Sequence, residues 1–259
     1  MRYFVNVKNY TMNFEPESNI FLVHKPSGPT SFDVVAEIRR IANVKKVGHA
    51  GTLDPMAEGL LIVGVGAGTK KLGRFLKLPK TYGASVLLGT GTDTGDITGA
   101  VLEKIDTPDF SDEKIRRAVL SLRGRLVLPV PVYSAVKIGG RRLYARARAG
   151  ERFAPPARAM EIIEVSFGGV LKDAAGVIVA MELRVGSGVY VRSIAEELGR
   201  RLGLPATLAS LKRKNIGDYS LSDALSIVEL ADLFRKRCRT KITESQPISA
   251  PRSAPPKMS

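Results

Sequence analysis

A short apolar run, Ile20 to Val23, ends at the rigid turn Lys25-Pro26-Ser27-Gly28-Pro29. The spacing of Val34, Ile38 and Ile41 predicts a helix just beyond it. Thr30 or Ser31 is its cap, and Asp33 lies in its first turn, where a carboxylate complements the unpaired N–H groups. Leu60 to Val65 is almost continuously apolar and reads as a buried strand. Tyr82, Ala84, Val86 and Leu88 recur every second position and share one face of the next strand. Gly89 to Gly99 reads as a Gly/Thr/Asp loop. Ser111 caps a further helix that buries Ile115, Val119 and Leu122 and carries Asp112 and Glu113 in its first turn. Strands at about 130–138, 160–168 and 177–186 follow, then a helix over 191–202 closed by Gly203. Leu208 to Ile216 is predicted as the last strand and Leu225 to Phe234 as the last helix. Residues 241–259 are dominated by Ser, Pro and Ala, the composition of a disordered tail. Strands and helices interleave without regular alternation, so the fold class is α+β with one large mixed sheet.

Charge narrows the partners. Lys plus Arg number 40 against 25 Asp plus Glu, a formal net charge of +15. That surplus favours a polyanion, nucleic acid before an anionic membrane surface, because no stretch has the apolar length of a membrane span. Cys238 is the single cysteine, which excludes a disulfide framework. The N-terminal stretch lacks the apolar core of a signal peptide, so the cytoplasm is the expected location. His24 and His49 stand far apart and no CxxC or HxxxH spacing occurs, so no metal site is expected.

Several segments carry candidate chemistry. Gly48-His49-Ala50-Gly51-Thr52-Leu53-Asp54-Pro55 places one acid on a tight loop, with Pro55 biasing Asp54 away from helical geometry. The same pattern also describes a simple turn. Gly64-Val65-Gly66-Ala67-Gly68-Thr69-Lys70 has the wrong spacing for a phosphate-binding loop and reads as a strand-to-helix turn, with Lys70 as a candidate phosphate contact. Lys137 to Arg158 holds Lys137, Arg141, Arg142, Arg146, Arg148, Arg152 and Arg158 against one acid, Glu151. Flanked by Gly139-Gly140 and Pro155-Pro156, it reads as an inserted basic arm (137–158) that contacts phosphates and orders on its ligand. Gly186 to Arg192 runs from a strand into a helix. An Arg there can pair with a carboxylate and depress its pKa, and Tyr190 can offer a stacking surface; the same pattern, taken alone, better describes a helix-start Arg in a surface ion pair and a core Tyr.

Together these segments resemble the TruB family of tRNA pseudouridine synthases. Lys25-Pro26-Ser27-Gly28 matches the KPxG turn, and Gly48 to Pro55 the GHxGTLDP motif, continued by Ala57, Gly59 and Leu60. Lys80-Thr81-Tyr82, Ser187 to Arg192 (against SGTYIR), Leu211-Lys212-Arg213 and Tyr133 to Lys137 fall in register over about residues 20–218. The resemblance implies a pseudouridine synthase fold, a large mixed and mainly antiparallel sheet flanked by helices with an inserted thumb arm. It implies an N-terminal extension (1–19) and a catalytic domain over 20–240. The stretch after Leu230 is too short for the C-terminal PUA domain of bacterial members, so none is expected.

The implied activity is isomerisation of uridine to pseudouridine at position 55 of the tRNA T loop, without metal or organic cofactor. No membrane or protein partner is expected, and a monomer is. Asp54 becomes the catalytic carboxylate, Arg192 the partner that keeps it ionised, and Tyr82 the residue that stacks on the target base. Tyr190 and Leu211 line the pocket, and His49 fills the space left by the flipped base. Lys25, Lys70, Arg141 and Arg142 are implied substrate contacts. An intact Asp54, Tyr82 and Arg192 favours the enzyme over a non-catalytic RNA-binding or tRNA-folding factor on the same scaffold, and the inserted arm and the bacterial-style Gly89–Gly99 loop favour it over a guide-RNA-dependent relative.

Overall fold

The computed structural model describes residues 19–244 apart from 135, 152 and 174–175, so most of the N-terminal extension, Arg152 in the arm and residues 245–259 of the predicted tail lie outside it. The chain begins with β1 (Ile20–Lys25) and turns into α1 (Ser31–Ala42). Thr30 and Asp33 form a reciprocal capping box, with the Thr30 hydroxyl accepting from the Asp33 N–H and the Asp33 carboxylate accepting from the Thr30 N–H. β2 (Val47–His49) and β3 (Glu58–Val65) form a hairpin whose tip is the Gly- and Asp-bearing loop. After a 3₁₀ turn and α2 (Gly73–Leu76), β4 (Lys80–Leu88) buries alternate residues, as its period of two predicts.

The predicted Gly89–Gly99 loop contains a short strand, β5 (Thr90–Thr92), which pairs with the unpredicted β6 (Val101–Lys104). α3 (Asp112–Leu120) starts at its predicted Ser111 cap. The strand expected at 130–138 stands earlier, as β7 (Gly124–Pro129). Pro129 still pairs with Ala157 and the Val130 N–H reaches the Pro156 carbonyl, but Pro131 has no N–H with which to continue the ladder. The arm follows as the hairpin β8 (Lys137–Ile138) and β9 (Arg141–Arg142) and the short helix α4 (Leu143–Arg148).

β10 (Ala157–Asp173) and β11 (Gly176–Val185) form the longest hairpin, and α5 (Val191–Leu202) ends on Gly203 in the left-handed region, as predicted. β12 (Ala206–Ile216) is not the last strand, because β13 (Tyr219–Ser220) folds back on it. α6 (Ile227–Glu244) runs ten residues beyond the predicted helix end at Phe234, and into the stretch expected to be disordered from 241.

One nine-stranded sheet organises these elements in the order β1-β3-β12-β4-β11-β10-β7, with β2 and β13 paired at its side. Among the strands described, only β12 and β3 pair in parallel, over Lys212↔Glu58 and Arg213↔Gly59. β12 therefore wedges between β3 and β4, two strands that are neighbours in sequence. Gly59 makes this possible: its φ is +118°, and a Cβ there would meet the Arg213 backbone. The main core packs α3 and α5 against β4, β10, β11 and β12. Two smaller clusters cover both faces of β1 and β3, one of them beneath α1 and α6.

Candidate active site

Asp54 sits at the tip of the β2–β3 hairpin, and the loop around it is fastened from three directions. The Ser31 hydroxyl, in the first turn of α1, donates to the Leu53 carbonyl at 3.0 Å and accepts from the Leu53 N–H at 2.8 Å. Lys25, fully buried, donates from Nζ to the carbonyls of Pro26, Pro55 and Ala57 at 2.9, 3.2 and 2.6 Å. Arg213, also buried, donates to the carbonyls of Leu60, Thr52 and Gly51 at 2.7, 3.4 and 3.0 Å. Lys25 thus holds the loop beyond Asp54 and Arg213 the loop before it. Burial lowers the Lys25 pKa and Asp54 opposes that shift. Implied as a substrate contact, Lys25 has its donors spent on carbonyls. Lys80 behaves likewise: buried, pushed down to about 8, it closes the end of α2 by donating to the carbonyls of Phe75, Leu76 and Leu78.

Arg192, in the first turn of α5 and only 5% exposed, meets the Asp54 carboxylate as a fork, Nε to Oδ2 at 3.0 Å and Nη2 to Oδ1 at 3.1 Å. Its other donors reach the Thr94 carbonyl at 2.9 Å and the Tyr133 carbonyl at 3.0 Å. A second carboxylate, Asp96, lies 3.8 Å from Nη1. The guanidinium ties together the motif loop, the β5 turn and the root of the arm. Asp96 was not legible as a site residue. Its Oδ1 accepts from the Thr94 and Thr98 hydroxyls and the Thr98 N–H, a pattern ordinary for a turn.

The predicted ion pair is present, but its electrostatic consequence differs from expectation. Burial pushes the Asp54 carboxyl above the usual range, and Asp96 adds to that push. Arg192 pulls the other way without prevailing. Desolvation of a nearly enclosed carboxylate outweighs one favourable partner that is itself shared with a second acid. The Asp54 side chain keeps 32% of its exposure, so the carboxylate is not fully enclosed.

Tyr82 on β4 and Leu211 on β12 are buried in the same apolar cluster as Leu53, the residue before Asp54, and Tyr190, at the cap of α5, packs against it. A cavity of about 950 Å³ adjoins this group, lined by Gly28, Pro55, Met56, Ser210 and Leu211 among others. His49 lies on β2 just before the loop, and burial and the nearby Arg213 hold its imidazole below the usual pKa. The structure thus brings Arg192 into direct contact with Asp54 and places Tyr82, Leu211 and Tyr190 in or against the core cluster that includes Leu53, while His49 stands on β2 before the loop, against Phe32. Lys70 stands apart from them, exposed on the 3₁₀ turn at the opposite end of β3.

In the arm, Arg141 and Arg146 converge on Glu151 at 2.6 and 2.8 Å, and Arg146 lies over the Phe153 ring. Arg142 donates to the Tyr144 hydroxyl at 3.2 Å, and Arg148 also stands over that ring. Val136 and Leu143 anchor the arm in the main core.

Residues 39–191 match the TruB family pseudouridylate synthase N-terminal domain. The tRNA pseudouridine synthase B of Corynebacterium efficiens is 41% identical over 221 residues, which cover 84% of this chain and 73% of that protein. Its counterpart from Thermobifida fusca is 40% identical over 219 residues, covering 83% and 75%. Among solved structures, a Cbf5-Nop10-Gar1 complex superimposes with a TM-score of 0.63 at 26% identity, over 87% of this chain and 57% of that one. The archaeal box H/ACA sRNP Nop10-Cbf5 complex gives 0.61 at 25% identity, over 87% and 56%. The chain spans a little over half the length of those two structures.

Proposed function

The chain belongs to the TruB family of pseudouridylate synthases and is a tRNA pseudouridine synthase; we propose that its target is position 55 of the T loop and that Asp54 is the catalytic carboxylate. The observation that carries the assignment of Asp54 is the fork from Arg192. It holds the carboxylate in place while 32% of the Asp54 side chain stays exposed. A carboxylate so held attacks the sugar C1′ or removes a sugar proton. In the first course the N1–C1′ bond breaks as the Asp54 carboxylate bonds to C1′, and C5 of the turned uracil then displaces the carboxylate from C1′; in the second the N1–C1′ bond breaks as the sugar proton is taken, and that proton returns to the sugar as C5 bonds to C1′. In both, N1 regains a proton and the C5 hydrogen leaves as a proton. Burial makes Asp54 more basic than an exposed aspartate, which suits both courses. The decisive test of the target is incubation of the purified chain with unmodified tRNA and mapping of pseudouridine. Formation outside the T loop alone would overturn it.

Tyr82 is the stacking residue for the target base, with Tyr190 and Leu211 completing the pocket wall, because all three share the apolar cluster that ends at Leu53. Tyr82→Phe is expected to bind RNA normally and to lose turnover, while Tyr82→Leu loses binding of the flipped base as well. Equal turnover by the Phe variant and wild type in a single-turnover assay would remove the hydroxyl from the chemistry.

The arm is the phosphate grip, and its internal pairing decides which cations serve. Glu151 engages Arg141 and Arg146, so the exposed Lys137, Arg142 and Arg148 are the phosphate contacts. Changing these three to Gln is expected to weaken tRNA binding whatever the sequence. It should also flatten the slope of log K against log salt by about 2–3, close to one unit per phosphate released. Parallel slopes for variant and wild type would show an arm that does not touch phosphate. Activity is proposed to reside in a monomer acting in the cytoplasm without a protein partner, because the fork, the pocket wall and the arm all come from one chain. Among the described residues no helix is long and apolar enough to cross a membrane.

A further inference from the structure

Phe32 is 73% exposed, the most exposed of the large apolar side chains described. Single exposed apolar residues are ordinary on a protein surface, and Leu102, Val127 and Val228 are further examples, on β6, β7 and α6. Those elements contribute no side chain to the carboxylate site. Phe32 differs in its attachment. It follows Ser31, whose hydroxyl is bonded in both directions to Leu53, and Leu53 precedes Asp54. The ring is thus carried on a helix start fixed rigidly to the motif loop. It also meets His49 edge to face, with centroids 6.2 Å apart and planes at 85°. A T-shaped pair of this kind orients the phenyl ring and leaves much of its surface open to solvent.

We propose that Phe32 is a further substrate-binding residue, a stacking platform for an unpaired nucleobase of the RNA loop beside the reacting uridine. The inference rests on the T-loop reading above. Stacking on an aromatic face is the interaction open to a base splayed from a loop, and it needs an oriented ring with a free face. The chain as a whole carries a formal charge of +15, so a polyanion is drawn to the protein, and the ring adds a contact that requires no charge.

The chain has no tryptophan, so Phe32→Trp installs a single fluorescent reporter at this position. Binding of an unmodified T stem-loop RNA is expected to quench it, whereas heparin, a polyanion without bases, binds without quenching. Phe32→Ala should weaken binding of the same RNA about tenfold, within the range for loss of one base–aromatic stack. The loss should fall on KM rather than kcat, and Phe32→Tyr should restore it. The thermal midpoint should not move, because the ring is mostly outside the core. Unaltered RNA affinity in the Ala variant, or equal quenching by heparin and RNA, would overturn the proposal and leave Phe32 facing something other than a base. Absence of pseudouridine formation in the T loop by wild type would instead overturn the reading of function, which the fluorescence titration does not measure.

Discussion

Asp54→Asn is expected to abolish pseudouridine formation, by at least about a hundredfold, while tRNA binding persists. A positioned acid–base group contributes on the order of 10²–10⁴ in rate, and Asn keeps the shape of the side chain without its charge or basicity. Release of tritium from C5-labelled uridine in tRNA measures the loss, and wild-type release by a verified Asn variant would remove Asp54 from the chemistry. The raised pKa adds a pH signature. Activity should fall on acidification as Asp54 takes up its proton, at a pH above that at which an ordinary aspartate would do so. For stability the sign is opposite to that of a typical salt-bridged acid. A carboxyl with a raised folded-state pKa favours folding when protonated, and its unfavourable contribution appears as pH rises past the unfolded value. The Asn variant should therefore be no less stable than wild type at neutral pH, and chemical denaturation at two pH values checks this.

Arg192→Leu is expected to remove both activity and a large part of the stability. The guanidinium faces Asp54 and Asp96 and donates to two carbonyls, all in a buried setting. Deleting it strands these groups, and breaking a buried pair from one side costs about 3–5 kcal/mol. For a chain of this size that lowers the melting temperature by on the order of 10 °C. Because protonation of Asp54 relieves part of the stranded charge, the deficit should shrink as pH falls. Arg192→Lys separates the two roles: it returns a cation to the cavity but cannot form the fork, so stability should recover further than turnover. A Leu variant with wild-type melting and a wild-type pH profile would show that the fork neither aims Asp54 nor supports the fold.

The sequence by itself determined what depends on neighbours a few residues away. Thr30, Ser111 and Gly203 bound their helices where predicted, because a cap is decided within one turn. The alternation in β4 and the apolar run of β3 fixed which side chains are buried. Short motifs in register were enough to anticipate that Arg192 would face Asp54. Local pattern failed where pairing is remote or a ladder is interrupted. The proline at 131 ended a strand early, and the wedge of β12 between β3 and β4 follows from no adjacent signal. Above all, sequence identifies a cation without saying what it will face. Lys25, Lys80 and Arg213 meet backbone carbonyls, in the last case 153 residues away, whereas Lys137, Arg142 and Arg148 are left on the surface. The same holds for Asp54, whose pairing with Arg192 could be anticipated but whose raised pKa could not. That shift is the difference between desolvation and attraction, and both are fixed by how closely α5, the β5 turn and the motif loop pack around one carboxylate.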